Sequence, residues 1–495
     1  MPHRRPAGAL AIAGALLLAG CAGAPKGPGR PPPAPPPAAR PNIVLVLTDD
    51  LSWNLVEHMP RVQQMRQQGL TFSRYFVSNS LCCPSRASIL SGRYPHNTRV
   101  LTNEAPTGGF QAFLRDGAER ETFATALQSA GYRTALMGKY LNDYDPAKVQ
   151  GGSRAYIPPG WSDWRATSLA YREYGYTLNE NGTLVRYGNR PRDYLTDVLA
   201  AKGTEFLTGA PAGRPFLLKI STFAPHSPYV PAPRHARSFP GLRAPRPPSF
   251  NEADLSDKPG WLRGYPRLNP AQIADIDRRY RDRVRMVQSI DELVGRLLAT
   301  LQARGLDRDT YVVFTSDNGL HLGEHRMPEG KATAFDTDTH VPLIVRGPGV
   351  PRGRTVSALT QNTDLAPTFQ ELAGTPVGPR VDGRSLVPFL RGRPVTGWRQ
   401  GALIEHFDPV ISPTDPDRHR RLAGYPTPHR ALRTENELYV EYDGGEREYY
   451  DLVRDPHQLD NAIGRLPPER QLALSQMMYA LYKCSGAGCR KADHR

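Results

Sequence analysis

The sequence predicts an α/β fold, in which a mostly parallel sheet lies between layers of helices and a smaller α+β subdomain follows at the C-terminus. Two observations carry the main part of this prediction: apolar segments that end in acidic residues, and amphipathic helices that stand between such segments. Beyond about residue 390 the chain changes to short segments of alternating polarity, which indicates the antiparallel strands of the subdomain.

The first 21 residues have the composition of an export signal. The basic run His3-Arg4-Arg5 precedes an apolar run from Ala7 to Leu18, and small residues then lead to Cys21. The apolar run is too short to span a bilayer. The sequence Leu-Ala-Gly-Cys resembles the lipobox of bacterial lipoproteins, in which Cys21 would carry a lipid anchor; a plain secretory signal is the alternative. Both place the mature protein outside the cytoplasm.

Residues 22–41 form a proline-rich segment with no apolar face. This composition favours the extended polyproline II form, so we expect a semi-rigid tether ahead of the folded body. We assign residues 42–390 to the main domain and residues 391–495 to the C-terminal subdomain.

The overall composition limits the function classes. Hydrophobic residues make up 39% and charged residues 22% of the 495 residues, which excludes a polytopic membrane protein and a fully disordered chain. The formal net charge of +15 favours an anionic substrate or an anionic surface. The arginines are spread through loops and no nucleic-acid-binding module is recognisable, so nucleic acid is not an expected partner.

The first strand of the predicted sheet lies in PNIVLVLTDD, Pro41 to Asp50, and is followed by Asp49 and Asp50. A continuous apolar run is typical of a strand that is buried on both faces of a parallel sheet. Ligands gather beyond the carboxyl ends of such strands. The two acids therefore mark a candidate functional edge.

A helix and a strand make up the next unit. Thr122 to Ala130 has the pattern of a helix that Gly131 ends, and Arg133 to Met137 that of a strand leading into Gly138-Lys139. A polar residue again follows a strand, as it does after the first one.

The clearest helix is SIDELVGRLLATLQARGL, with Gly305 as its stop signal. Its apolar stripe comprises Ile290, Leu293, Val294, Leu297, Leu298 and Leu301. The next segment, Thr310 to Thr315, is a β-branched and aromatic strand that runs into Ser316-Asp317-Asn318-Gly319. In the subdomain, short antiparallel strands are expected around an Asp-Gly-Gly turn between Ala431 and Leu452, and a terminal helix near Pro468 to Tyr482.

The stretch CCPSRASILSGR, Cys82 to Arg93, resembles the sulfatase signature C-x-P-S-R followed by a leucine and a Gly-Arg pair. Because Cys83 occupies the variable position, the spacing selects Cys82. The alternatives are two buried cysteines at a helix start or a vicinal thiol metal site, although the C-x-x-C spacing of common zinc sites is absent. Further landmarks follow in the family's order: Thr48 to Asp50, Gly138-Lys139, Ala224 to His226, Ser316 to Gly319, and Gly330-Lys331.

The resemblance to the sulfatases implies an alkaline-phosphatase-like fold and a formylglycine-dependent ester hydrolase. In that family a formylglycine-generating enzyme oxidises the motif cysteine, which here is Cys82. The hydrated aldehyde offers two hydroxyls on one carbon: one attacks sulfur and displaces the alcohol, and deprotonation of the other expels sulfate. A serine at the same position would need a water for the second step.

The resemblance also implies a divalent metal. Asp49, Asp50, Asp317 and Asn318 match the family's ligands, and the modified Cys82 would add a further oxygen. Such hard donors suit Ca²⁺ or Mg²⁺, which would stabilise the charge that develops on the sulfate. The alternative is that acids at strand ends cap helices or face water.

Four cationic residues match the remaining landmarks. By the resemblance, Arg86 holds the formylglycine hydrate, and Lys139 and Lys331 clamp sulfate oxygens. His226 would donate a proton to the leaving alcohol, with Lys331 as helper. Each of them also has an ordinary structural explanation, such as a solvated lysine or a histidine that is hydrogen-bonded in a loop.

One landmark departs from the common pattern. Many sulfatases have G-K-W-H, in which the histidine serves the second half of the cycle, whereas this chain has Leu141 at that position. Leucine cannot accept a proton and Asn142 can only orient, so the base that expels sulfate stays open. The run GKYLN resembles the glucosamine-6-sulfatase branch of the family, as does the closing pair Cys484 and Cys489.

This closer resemblance implies a sulfated carbohydrate as substrate, with the 6-sulfate of N-acetylglucosamine as the first candidate. An aryl sulfatase, or a phosphonate or phosphate ester hydrolase of the same superfamily, is the alternative. A non-catalytic glycan-binding lipoprotein would follow if Cys82 were unmodified. By the same resemblance Cys484 and Cys489 can pair, which leaves Cys83 without a role.

Overall fold

The computed structural model describes residues 40–144, 156–167, 169–407, 417 and 425–494. The expected export signal, the lipobox at Cys21 and nearly all of the proline-rich tether lie outside the described residues. Within the described ranges, no helix combines the length and the apolar character needed to cross a bilayer.

A ten-stranded sheet forms the centre of the fold. The strands of all the sheets among the described residues, in chain order, are β1 (Asn42–Thr48), β2 (Leu70–Phe72), β3 (Tyr75–Phe76), β4 (Arg133–Lys139), β5 (Asp163–Thr167), β6 (Thr177–Glu180), β7 (Thr183–Arg186), β8 (Phe216–Ser221), β9 (Thr310–Ser316), β10 (Leu343–Arg346), β11 (Arg354–Val356), β12 (Thr360–Gln361), β13 (Ala402–His406), β14 (His429–Arg433), β15 (Glu437–Tyr442) and β16 (Arg447–Asp451). The order in the large sheet is β11-β2-β10-β9-β1-β8-β4-β5-β6-β7.

The middle of this sheet is parallel. Strands β9, β1, β8, β4 and β5 all run in one direction, whereas β10 and β6 flank them in the opposite direction. Every residue of β1 is buried, which agrees with the continuous apolar run in its sequence. The predicted mostly parallel sheet is therefore confirmed.

Helices cover both faces of the sheet. The α-helices of the described residues are α1 (Trp53–Val56), α2 (Pro60–Gln67), α3 (Cys82–Ser91), α4 (Pro95–Thr98), α5 (Gly109–Arg115), α6 (Phe123–Ser129), α7 (Leu195–Thr208), α8 (Gly260–Arg263), α9 (Pro270–Ala303), α10 (Asp336–Thr339), α11 (Leu365–Leu372), α12 (Val387–Leu390), α13 (Pro468–Tyr482) and α14 (Ala487–Ala492). One apolar core joins the sheet to α3, α5, α6 and α11, and a second joins its other face to α2, α7 and α9. Alternate residues of β1 point into the two cores, as the strand geometry requires.

The predicted elements of the main domain are present, with one difference in length. The Thr122 hydroxyl accepts the Thr125 N–H and caps α6, and β4 continues to Lys139. The helix predicted from the apolar stripe ends at Ala303, before Gly305, but it begins at Pro270 and has 34 residues. The side chain of Asn269 caps this earlier start by accepting the Gln272 N–H.

The C-terminal part forms an antiparallel sheet of β13, β14, β15 and β16, with α13 packed on it as predicted. Cys484 and Cys489 form a disulfide. Arg399 makes two hydrogen bonds of 2.7 Å to the buried carboxylate of Asp364, which ties this part to the region of α11. The chain from Arg40 onward is one compact unit, and the domain boundary after residue 390 stays a prediction.

Candidate active site

The carboxyl ends of β1 and β9 bring four of the predicted site residues together. Thr48 is paired in register with Ser316, so the residues that follow each strand lie side by side. The Asp317 N–H donates to the Thr48 carbonyl at 3.1 Å, and the Asp50 N–H donates to Asp317 Oδ1 at 3.2 Å. Asn318 donates from Nδ2 to Asp50 Oδ1 at 2.6 Å.

The backbone at Asp50 is held in a conformation that non-glycine residues rarely adopt. Its φ is 60°, in the left-handed region, which costs roughly 1–2 kcal/mol for an L residue. Such strain persists only where surrounding contacts fix it, and it is frequent at functional sites. Here the hydrogen bond to Asp317 and the buried surroundings provide those contacts.

Cys82 is the first residue of α3, and its side chain points to this edge of the sheet. Its sulfur lies 3.3 Å from Asp49 Oδ1 and 2.9 Å from Lys331 Nζ. Burial, and then the carboxylates of Asp417 and Asp49, raise the pKa of Cys82. The thiol is therefore protonated at neutral pH.

Arg86 lies one helical turn beyond Cys82 and is fully buried. Its Nε donates to Asp317 Oδ2 at 2.7 Å, and its Nη1 donates to the carbonyl of Lys139 at 3.2 Å. Burial opposes the charge, but Asp317 and Asp49 outweigh it and raise the pKa of Arg86. The guanidinium thus connects the start of α3 with the ends of β9 and β4.

Three further cations approach the acids from other elements. Lys139, at the end of β4, donates to Asp49 Oδ2 at 2.7 Å, and Lys331 donates to Asp50 Oδ1 at 2.7 Å. His226 Nε2 lies 3.5 Å from Asp50 Oδ2. Burial alone would lower the pKa of His226, but Asp50 and other acids raise it to about 9.

All the predicted catalytic and metal-ligating residues thus meet at one edge of the sheet. The set comprises Asp49, Asp50, Cys82, Arg86, Lys139, His226, Asp317, Asn318 and Lys331, and each is almost completely buried. Their individual roles stay predictions.

Family comparison adds independent evidence. The family model described as Sulfatase matches residues 41–375. The chain belongs to the sulfatase family. A second model, described as N-sulphoglucosamine sulphohydrolase, C-terminal, matches residues 323–483 of this sulfatase. The chain is therefore a hydrolase of sulfate esters, as the signature at Cys82 predicted.

Two named relatives resemble the sulfatase over most of its length. The N-acetylglucosamine-6-sulfatase of Capra hircus is 36% identical over 478 residues, which cover 91% of this chain and 85% of that protein. The N-acetylglucosamine-6-sulfatase of Homo sapiens is 36% identical over 478 residues, with coverage of 91% and 86%.

Solved structures confirm the fold. A protein in complex with its substrate D-glucosamine-2-N,6-O-disulfate superposes with a TM-score of 0.75 at 25% identity and covers 92% of this chain and 99% of its own. The phosphonate monoester hydrolase of Agrobacterium radiobacter has a TM-score of 0.70 at 23% identity, with coverage of 90% and 95%. The latter likeness concerns the fold alone.

The donor set of the sulfatase suits a hard divalent cation. Single ligand atoms of Asp49, Asp50, Cys82 and His226 all lie within 4.8 Å of one another. The buried Oδ1 of Asn318 has no hydrogen-bond partner among the described residues. Leaving such an oxygen unpaired costs about 1–3 kcal/mol, and carboxylate and amide oxygens are the ligands that Ca²⁺ and Mg²⁺ take. The cluster could therefore hold a divalent metal ion.

Two residues of the site were missed in the sequence. The carboxylate of Asp417 accepts hydrogen bonds from Asn103 Nδ2 at 2.5 Å and His226 Nε2 at 2.6 Å, and it lies 2.7 Å from Lys331 Nζ. Asn103 also accepts the Cys83 N–H at 3.0 Å. Three donors thus converge on one anionic group beside Cys82. No local pattern in the sequence marks either residue.

Leu141, the residue that departs from the common G-K-W-H pattern, lies in an apolar environment. Leu141 is fully buried in the apolar core with Tyr140 and Phe110. The neighbouring Asn142 is also buried, and its Oδ1 has no hydrogen-bond partner among the described residues. Neither side chain can accept a proton from a hydroxyl, so the positions two and three residues after Lys139 supply no base.

Proposed function

We propose that this sulfatase hydrolyses the 6-sulfate of N-acetylglucosamine, either free or at the end of a sulfated glycan. The observation that carries hydrolysis at this site is the position of the Cys82 sulfur, 2.9 Å from Lys331 Nζ and 3.3 Å from Asp49 Oδ1. Relatives named N-acetylglucosamine-6-sulfatase support the choice of substrate, because their 36% identity extends over 91% of the chain. Leu141 supports the same substrate, because the GKYLN run that contains it resembles the glucosamine-6-sulfatase branch of the family.

In this proposal Cys82 is converted to formylglycine by a maturation enzyme. Hydrated formylglycine supplies one hydroxyl that attacks sulfur and a second whose deprotonation releases sulfate. The unmodified thiol is a poor nucleophile here, since burial and the nearby carboxylates raise its pKa and only a thiolate attacks efficiently. Arg86, fixed on Asp317, would donate hydrogen bonds to the oxygens at position 82.

We assign the metal site to Asp49, Asp50, Asp317 and Asn318, with the oxygen at position 82 as a further donor and Ca²⁺ or Mg²⁺ as the ion. When bound, the ion would offset the negative charge that develops on the sulfate oxygens. The Asp317 carboxylate is well fixed for this task, because it accepts hydrogen bonds from Arg86 and from the backbone N–H groups of Asp50 and Asn318.

Lys139 and Lys331 bind the remaining sulfate oxygens. Burial opposes their charge, but the neighbouring acids raise the pKa of both lysines, so both stay protonated. His226 donates its Nε2 proton to the leaving alcohol oxygen. Its Nε2 lies 3.5 Å from Asp50 Oδ2, beside the assigned metal ligands, and general acids of this kind contribute about 10²–10⁴-fold.

We also propose that the enzyme is exported and held at a membrane by a lipid on Cys21. The basic and apolar N-terminus and the Leu-Ala-Gly-Cys sequence support this localisation. Expression of the full chain and of C21S in a bacterial host tests it. The full chain should fractionate with membranes and C21S with the soluble exported proteins; equal fractionation of both would exclude the anchor.

Competing turnover tests the function. One purified preparation, produced with a formylglycine-generating enzyme, is given N-acetylglucosamine-6-sulfate, an aryl sulfate and an aryl phosphonate, and mass spectrometry of the peptide around Cys82 reports the modification. We expect conversion of Cys82 and preferred release of sulfate from the sugar. Preference for the phosphonate would contradict the proposal, and preference for the aryl sulfate would contradict the assigned sugar. An unmodified, inactive chain would favour a glycan-binding protein.

A further inference from the structure

The ring of Tyr171 contacts two of the cations that the proposed function places on the substrate. Lys139 Nζ lies 4.9 Å from the centroid of the ring, and the imidazole of His226 lies 4.7 Å from it at an interplanar angle of 54°. Tyr171 comes from the segment between β5 and β6, whereas Lys139 and His226 come from separate elements. One side chain therefore bridges two groups that the backbone does not connect directly.

A second aromatic ring packs against the ring of Tyr171. Phe223, at the start of the loop that carries His226, meets the Tyr171 ring edge to face with a centroid distance of 5.0 Å. The same Phe223 ring lies 5.7 Å from Lys139 Nζ. Lys139 thus has a carboxylate of Asp49 on one side at 2.7 Å and two aromatic rings nearby. An aromatic pair of this geometry adds about 0.5–1.5 kcal/mol beyond its buried area.

The segment that carries Tyr171 is itself anchored to a long helix. Glu173, two residues on, is buried and accepts hydrogen bonds from the N–H and the hydroxyl of Thr196, at 2.9 Å and 2.7 Å. Thr196 lies in the first turn of α7, and the Leu195 N–H donates to the Glu173 carbonyl at 2.9 Å. The ring position is therefore set by secondary structure, as precise placement of neighbouring groups requires.

We propose that Tyr171 is a positioning residue that sets the separation of Lys139 and His226. The proposal rests on the proposed function, in which Lys139 binds a sulfate oxygen and His226 protonates the leaving oxygen. A ring over an ammonium is worth about 0.5–2 kcal/mol, so its first effect is to hold the ammonium in place. A displacement of about 1 Å in such a group can cost roughly 10²-fold in rate.

Loss of the contact with Lys139 and loss of the contact with His226 should have different effects on turnover. Lys139 acts on the sulfate, so its misplacement slows every sulfate ester equally. His226 acts on the leaving group, so its misplacement slows an alkyl ester, whose alkoxide must be protonated, more than a nitrophenyl ester, whose anion leaves unaided. A residue that positions both groups must therefore show a general loss and an extra loss on the sugar ester. A role in stability alone produces no dependence on the leaving group.

The test compares Y171F and Y171L with Y174L as a matched control. Tyr174 lies on the same segment, but its ring packs against Tyr194 at 5.4 Å. With 4-nitrophenyl sulfate we expect Y171L to lower kcat about 10-fold, and with N-acetylglucosamine-6-sulfate about 100-fold, with smaller changes in KM. Y171F keeps the ring and should stay within about threefold of the unmodified sequence on both substrates.

Three results would overturn the proposal. The first is equal activity of Y171L and Y174L, and the second is an equal loss of kcat in Y171L on the two esters. The third is a loss of kcat in Y171F as large as in Y171L, which would assign the effect to the hydroxyl. If circular dichroism shows Y171L to be unfolded, Y171M, which keeps more side-chain volume, replaces it. If the parent enzyme cleaves 4-nitrophenyl sulfate but not N-acetylglucosamine-6-sulfate, the sugar assignment fails. Another alkyl sulfate that the enzyme does cleave then supplies the comparison.

Discussion

Lys331 Nζ lies 2.9 Å from the sulfur of Cys82, whereas the adjacent Cys83 packs in the apolar core. Both residues are in the first turn of α3, where successive side chains point about 100° apart. One thiol therefore faces the charged edge of the sheet, and the other faces the helices behind it. The two surroundings give a physical reason for the choice that the motif spacing indicates.

The first prediction separates the two thiols. C82A should lower sulfate release by roughly 10⁴-fold or more, because it removes the nucleophile. C83A leaves a small cavity in the core and should cost roughly 1 kcal/mol of stability with most activity retained. Initial rates and denaturant unfolding of the two variants provide the measurement. An active C82A or a fully inactive, folded C83A would contradict the assignment.

The second prediction concerns the metal. Chelation should abolish activity, and added Ca²⁺ or Mg²⁺ should restore it, because the bound cation then neutralises the buried carboxylates again. N318A removes the unpartnered amide oxygen and should weaken cation binding by about 10–100-fold. Titration calorimetry of the demetallated protein measures this affinity independently of turnover. N97A, which alters a partly buried asparagine bound to Asp382, is the control. Unchanged affinity in N318A would remove Asn318 from the ligand set.

Much of the site could be predicted because its residues follow strands. Asp49, Asp50 and Asp317 come directly after apolar strands, and Lys139 ends one, so parallel pairing alone gathers them at one edge. Asp417 and Asn103 could not be found in this way. Neither residue belongs to a periodic pattern in the sequence that would fix the direction of its side chain.

The missed half of α9 is a different case. Its N-terminal half is rich in arginine and aspartate, but Ile276, Tyr280, Val284 and Val287 stand there at helical spacing and are buried. Arg283 in this half is nevertheless buried, and it donates a hydrogen bond to the Asp50 carbonyl. Apolar periodicity could therefore have extended the predicted helix, whereas it does not reveal that the polar Arg283 also lies on the inner face.

The third prediction concerns stability and pH. Burial raises the pKa of Glu173 from 4.5 to about 7. Between about pH 4.5 and about pH 7 the folded protein therefore holds a proton that the unfolded chain has lost. The contribution of Glu173 to the free energy of unfolding is greatest below about pH 4.5 and falls until about pH 7. The difference amounts to roughly 3 kcal/mol. E173Q keeps an acceptor for Thr196 without this titration.

The measurement is the free energy of unfolding of E173Q relative to the unmodified sequence, at about pH 5 and about pH 8. We expect this difference to shift in favour of E173Q by up to about 3 kcal/mol at the higher pH. E371Q, at an exposed position of α11, is the control and should show no such shift. A difference for E173Q that is independent of pH would show that the carboxyl is ionised in the folded protein.

The last prediction assigns two functions to Asn103. Its Oδ1 accepts the Cys83 N–H at 3.0 Å and fixes the start of α3, while its Nδ2 donates to the carboxylate of Asp417, beside His226 and Lys331. If an oxygen of a bound sulfate ester took the place of the Asp417 carboxylate, it would accept the hydrogen bond from Asn103 Nδ2. Removing one such donor costs about 10²–10³-fold in kcat in enzymes that stabilise oxyanions.

Two substitutions at Asn103 separate these functions. N103A loses both contacts, whereas N103D keeps an acceptor for the Cys83 N–H and turns the donor into a second negative charge facing the sulfate. We expect kcat to fall about 10²-fold in N103A and at least as far in N103D, since repulsion replaces a hydrogen bond. N97A again serves as the control. Initial rates at saturating substrate, with mass spectrometry to establish that position 82 is equally modified in each variant, provide the measurement. Activity of N103D close to that of the unmodified sequence would limit Asn103 to anchoring α3.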